Sequence, residues 1–155
     1  MTLNFEAIPT SDARNAQNGN PDANGQLPEH TLSDGNGNTC RHCLTDIPKG
    51  TPMLILGYRP FPTPQPYAEV GPIFLCANKC ERHTNSKTIP DMFKTNKELL
   101  IRGYDDHDRI IYGTGRVTSL NQIENAITDG FKNDKIHYYH LRSASNNCFQ
   151  IKVTR

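Results

Sequence analysis

The sequence predicts an α+β domain: a mostly antiparallel sheet, one main helix at about residues 119–131, and a long N-terminal excursion. Three observations predict it. Apolar runs of strand length are bounded by Gly or Pro, as in Pro52–Tyr58 and Gly71–Leu75. Only Leu120, Ile123, Ile127 and Phe131 recur at helical spacing along a sustained stretch. The segment 11–39 is rich in Asn and Gly, with apolar side chains only at Ala13, Ala16, Ala23, Leu27 and Leu32. Such a segment buries little and is expected to run as a long polar loop.

In chain order, Leu3, Phe5 and Ala7 alternate with polar neighbours and stop at Pro9, the pattern of an edge strand. Pro52–Tyr58 and Gly71–Leu75 flank a proline ladder, residues 60–67, and suit two paired strands. Antiparallel pairing would set the exit of the second strand beside the entrance of the first. Ile89–Lys94 carries Pro near its start and suits one short helical turn. Leu99–Tyr104 and Arg109–Val117, separated by Asp105–Asp108, read as a hairpin. Ser119 followed by Gln122 has capping-box spacing and places the helix start. Ile136–Arg142 and Cys148–Val153 form a second hairpin around a polar tip, residues 143–147. No internal repeat or composition break divides the chain, so residues 1–155 are expected to form a single domain.

Composition bounds the function. Of 155 residues, 17 are Lys or Arg and 16 are Asp or Glu, a net charge of +1. No global field gathers polyanions, which argues against nucleic acid and anionic membrane surfaces as partners. The N-terminus lacks a basic region followed by an apolar run, and no segment reaches the roughly 20 apolar residues of a membrane span. A cytoplasmic protein is expected. The charge is uneven: residues 132–155 carry Lys132, Lys135, Arg142, Lys152 and Arg155 against Asp134 alone. This is the composition of a solvated face, or of a surface toward a small anion.

The chemistry-bearing residues cluster in the middle. Cys40-Arg41-His42-Cys43 and Cys76-Ala77-Asn78-Lys79-Cys80 are two thiol doublets, and the expected strand pairing would bring them together. Four thiolates at tetrahedral corners are a zinc site, so Cys40, Cys43, Cys76 and Cys80 are the candidate ligands, with His42 and His83 as possible substitutes. The same residues also suit four reduced thiols packed as small apolar groups. A redox role of the first doublet fits poorly, because Pro48 and Gly50 arrive too soon for the helix that lowers a thiol's pKa. Arg59, Tyr67, Arg102, Tyr104, His140 and Arg142 fall near expected strand ends and are the candidate ligand-binding set, with Arg offering a planar fork to an anion. Glu69 or Asp105 with His140 would supply an acid and base pair. Local pairing of Arg59 with Glu69, and of Arg102 with Asp105, explains the same residues without a ligand. His137 and His140, three apart on one strand, should face opposite sides. Cys148 stands apart and suits a structural thiol.

The phrases Cys40–Leu44, Leu56–Phe61, Pro66–Phe74 and Arg102–Asp105, with the closing hairpin, resemble a bacterial family catalogued as a domain of unknown function, number twelve-oh-three. The likeness extends over residues 3–155, and Pro66-Tyr67-Ala68-Glu69-x-Gly71-Pro72-Ile73-Phe74 is its most specific phrase. It implies a compact single-domain protein and brings no reaction, substrate or catalytic residue. The reading the residues favour is a small binding or interaction domain on a cysteine-framed, zinc-stapled scaffold, its partner a small molecule or a protein. An enzyme acting on a small anion through the Arg/Tyr/His set, and a thiol-based redox or metal sensor, remain the alternatives.

Overall fold

A computed structural model describes residues 1–155. In chain order the elements are β1 (Asn4–Glu6), α1 (Thr10–Gln17), β2 (Glu29–Leu32), β3 (Pro52–Tyr58), β4 (Gly71–Cys76), β5 (Glu98–Tyr104), β6 (Arg116–Ser119), α2 (Ile123–Gly130), β7 (Tyr138–Ser143) and β8 (Phe149–Thr154). Every named strand pairing is antiparallel, and the fold is α+β. The chain divides into two compact units. One comprises Ala7–Pro64 and Ala68–Thr84; the other comprises Met1–Glu6, Gln65–Tyr67 and Asn85–Arg155.

The first unit is built on the sheet β2-β3-β4. Leu54 lies opposite Leu75 and Leu56 opposite Ile73, and all four are buried. Alternate residues share a sheet face, so these four form one apolar layer. The register also sets Met53 opposite Cys76, so the end of β4 returns to the start of β3, as the sequence predicts. The loop before β3 is tied to β4 by a parallel bridge between Cys40 and Phe74.

The segment 11–39 is not one polar loop. It contributes α1 and β2. An eight-residue helix has little stability of its own, and α1 buries only Ala13 and Ala16. It is held by side chains anchored on distant backbone, which no local pattern reveals. Arg14 Nη2 donates to the Cys80 carbonyl at 2.8 Å, and Gln17 Nε2 donates to the carbonyls of Cys76 and Asn78, each at 2.9 Å. Farther on, the Asp22 carboxylate accepts the Gly57 amide at 2.7 Å, docking the segment onto β3. Gly57 permits this approach, since a Cβ there would collide with the Asn24 amide.

The second unit is a five-stranded sheet, β1-β8-β7-β5-β6. β1 stands at the edge of the sheet, as the alternation of Leu3, Phe5 and Ala7 predicts: β8 is its one strand neighbour, and its outer side meets only an isolated bridge from Phe5 to Ser86. Phe5, Leu99, Ile101, Tyr139, Leu141, Ile151 and Val153 are all buried and project to one face by register. The apolar stripe of α2, Ile123 and Ile127, is buried with them, and the helix lies against β5 and β6.

The main helix is shorter than the predicted 119–131. Leu120–Gln122 is a 3-10 turn, and α-helix runs only from Ile123 to Gly130. Ser119 does not form a capping box: its hydroxyl donates to the side chains of Asn121 and Gln122, while the Leu120 amide is held by the Lys97 carbonyl. The return limb of the first hairpin is likewise broken. Asp105 Oδ1 accepts the amides of His107 and Arg109 to make the turn, and the Thr114 hydroxyl takes the Gly103 amide that a continuous strand would have paired. Strand pairing therefore resumes only at Arg116. The β7–β8 hairpin forms as predicted, with a bulge at Leu141/Arg142.

Candidate metal centre

The four cysteine sulfurs come together in the first unit. All four Sγ atoms lie within 4.8 Å of one another. Cys40 Sγ is 3.9 Å from Cys80 Sγ, and Cys43 Sγ is 3.9 Å from Cys76 Sγ. A disulfide requires about 2.05 Å, so these are separate thiols. Four sulfurs placed about 2.3 Å from a central zinc ion form a tetrahedron with edges of about 3.8 Å, which the Cys40–Cys80 and Cys43–Cys76 separations match. The donor set and its spacing therefore fit a metal ion.

Local geometry explains why the sequence folds this way. Leu44 takes a left-handed φ of 56°, and its amide donates to the Cys40 carbonyl at 2.9 Å. This closes a tight turn over Cys40–Cys43 and points both thiols to one side. The turn is pinned across its base by the Thr39–Asp46 bridge and by Thr39 Oγ1 donating to Asp46 Oδ1 at 2.6 Å. The second doublet leaves the end of β4, and its loop carbonyls are the ones that Arg14 and Gln17 hold.

Polar hydrogens surround the sulfurs. The Cys76 amide donates to Cys40 Sγ at 3.4 Å, and Thr45 Oγ1 lies 3.1 Å from Cys43 Sγ. His42 Nδ1 lies 3.2 Å from Cys80 Sγ, and its Nε2 is 2.9 Å from Thr10 Oγ1. His42 is fully buried, and burial followed by the nearby Arg14 charge lowers its pKa, keeping the ring neutral. Four thiols this close do not all ionise unaided. Hydrogen bonds from Cys40 and then Cys76 push the Cys43 thiol far down, while bonds to Cys40 and Cys43 push Cys76 far up. Burial, then the charges of Cys40 and Cys43, push Cys80 up to about 12. A divalent cation reverses that balance by stabilising all four thiolates together.

The other predicted residues are distributed differently. Arg102, Tyr104, His140 and Arg142 share one face of the second unit's sheet, with Arg102 opposite His140 and Tyr104 opposite Tyr138. His140 is fully buried and packs among the rings of Tyr104, Tyr138 and Phe149 at centroid distances of 4.7, 5.1 and 4.8 Å. Arg142 Nε donates to the carbonyl and side chain of Asn147, and Arg102 reaches the same side chain at 3.3 Å. These contacts brace a hairpin. Tyr67 lies elsewhere in that unit, edge-on to Tyr112 and beneath the Arg109 guanidinium. Arg59 belongs to the other unit and donates to the Phe61 carbonyl, beside a cavity of about 340 Å³ lined also by Asp12, Asn15 and Tyr58. His137 is exposed but lies just before β7 rather than on the same strand as His140; within β7, Tyr138 stacks on Tyr104 while Tyr139 packs against Phe131 on the opposite face. Cys148 lies in the second unit, with its thiol near the Asn146 carbonyl. His83 is not among the clustered ligands; its amide donates to the His42 carbonyl at 2.8 Å.

Sequence reasoning missed Thr10, Arg14 and Gln17, the three α1 residues that reach the cysteine loops. Their only advance signal was Thr10-Ser11-Asp12 after Pro9, a helix start too brief to stand out in a polar stretch.

A family model described as "Protein of unknown function (DUF1203)" matches residues 37–155, a span that includes all four clustered cysteines and excludes α1. No curated protein and no solved structure matches the chain.

Proposed function

Starting from the premise that this chain belongs to the DUF1203 family of proteins of unknown function, we propose that it is a small binding or interaction domain stapled by one zinc ion. The observation that carries this reading is the convergence of four sulfurs, contributed by two loops 32 residues apart in sequence, at the spacing a tetrahedral ion requires. Four cysteines fill every coordination position and leave none for substrate or water. That is the pattern of a structural site rather than a catalytic one. The ion supplies a cross-link between the Cys40–Cys43 turn and the end of β4. A reducing, cytoplasmic setting suits it, since thiolates must stay reduced to bind. No helix of the chain is long and apolar enough to cross a membrane. The partner we propose is a protein or small molecule rather than nucleic acid, because the net charge of +1 supplies no long-range attraction to a polyanion.

The test is metal analysis of protein purified without chelator. One zinc per chain, lost together on Cys40→Ser or Cys76→Ser, is expected. Protein that binds no zinc when reduced and supplied with it, and keeps five freely titrating thiols, would end the proposal.

A further inference from the structure

The ring of His42 bridges two parts of the first unit: Nδ1 faces Cys80 Sγ at 3.2 Å, and Nε2 faces the Thr10 hydroxyl at 2.9 Å. Two proton arrangements satisfy this chain of atoms. Either Cys80 S–H donates to Nδ1 and Nε2–H donates to Thr10, or the Thr10 hydroxyl donates to Nε2 and Nδ1–H donates to the sulfur. A sulfur bound to a metal ion carries no proton, so only the second arrangement is compatible with an occupied centre.

We infer that His42 is not a ligand but the hydrogen-bond donor that positions Cys80, and that Thr10 on α1 fixes the tautomer that lets it donate. This deepens the zinc reading and rests on it. Three of the four sulfurs then have a polar hydrogen within reach: Cys40 from the Cys76 amide, Cys43 from the Thr45 hydroxyl and Cys80 from His42. Such contacts spread the negative charge that four thiolates place around one dication, and outer partners of this kind orient the ligands they touch. Arg14 and Gln17 act on the same loop from the same helix, holding the carbonyls of Cys80, Cys76 and Asn78. The region matched by the family model supplies the sulfurs and the groups that donate to them, while the preceding segment adds Thr10 behind His42 and the Arg14 and Gln17 bonds to the loop carbonyls.

The experiment uses the full chain loaded with zinc. Nitrogen NMR of the His42 ring is expected to show Nδ1 protonated and Nε2 bare. Zinc affinity, measured by competition with a chromophoric chelator, is expected to fall about 10- to 100-fold in His42→Phe. His42→Asn, which keeps an N–H near the Nδ1 position, is expected to recover much of the loss. Thr10→Val leaves the buried ring in place because Thr10 is exposed. It is expected to weaken zinc in the same direction, and to add nothing to His42→Phe, because it acts through that ring. In cobalt-loaded protein, the sulfur-to-metal charge-transfer band is expected to move to lower energy in both variants. A wild type with one zinc but the ring proton on Nε2 overturns this inference alone, as do independent, additive losses from the two substitutions. A wild type unable to bind zinc overturns the metal reading and this one together.

Discussion

Stripping zinc from the Cys40/Cys43/Cys76/Cys80 centre is expected to lower the melting temperature by about 6 to 12 °C, and the size follows from two routes. A metal joining Cys43 to Cys76 closes a loop with a sequence separation of 33, a constraint on the unfolded chain of about 3 to 4 kcal/mol. By ligand linkage, free zinc held 100- to 1,000-fold above its dissociation constant stabilises by about 2.7 to 4.1 kcal/mol. A chain of 155 residues moves by about 2 to 4 °C per kcal/mol, so about 3 kcal/mol gives the range stated. The assay is calorimetry of zinc-loaded protein with and without chelator, paired with amide hydrogen exchange. Protection should fall first in the Cys40–Cys43 turn and in β3 and β4, whose register sets Met53 against Cys76. Removal of one zinc per chain with no change in melting temperature would refute the reasoning.

Thiol titration gives a companion result: one fast-reacting thiol, Cys148, in the zinc-loaded chain, five after chelation, and none in zinc-loaded Cys148→Ser. Gly130→Ala is expected to cost about 1 to 3 kcal/mol, read by urea unfolding, because its Cβ would run into the buried Tyr139 ring; a cost below about 0.5 kcal/mol would show that the ring yields freely. His140 gives a pH dependence. Burial first, then the charges of Arg142, Lys152 and Arg102, depress its folded-state pKa well below 6.5, so just under that pH the unfolded chain binds a proton that the folded chain does not. Its contribution is fully present above about pH 6.5 and is lost on acidification at up to about 1.4 kcal/mol per pH unit until the folded pKa is reached. His140→Phe should flatten that slope in unfolding titrations between pH 6.5 and 5; an identical slope in the variant would assign it to other groups.

What the sequence determined by itself is the part written in short-range chemistry. Apolar runs of strand length bounded by Gly and Pro, such as Pro52–Tyr58 and Gly71–Leu75, became β3 and β4 because run length and its Gly and Pro boundaries are local features that need no distant partner to be recognised. Two thiol doublets with a hairpin between them were enough to imply a clasp, since antiparallel pairing returns the end of one strand to the start of the other. The tertiary structure decided where weak local preferences met strong distant contacts. α1 has only two buried alanines and is held by bonds from Arg14 and Gln17 to carbonyls about sixty residues away, so its sequence reads as loop. The helix at 123–130 lost its expected cap because Ser119 was engaged by neighbouring side chains and the Leu120 amide by Lys97. His140 and Arg142 look alike in sequence as candidate ligand groups, yet burial among rings and a bond to Asn147 fix them as parts of a packed sheet face. The bond from His42 toward Cys80 depends on two loops and a helix meeting at one point, and no spacing along the chain encodes such a meeting.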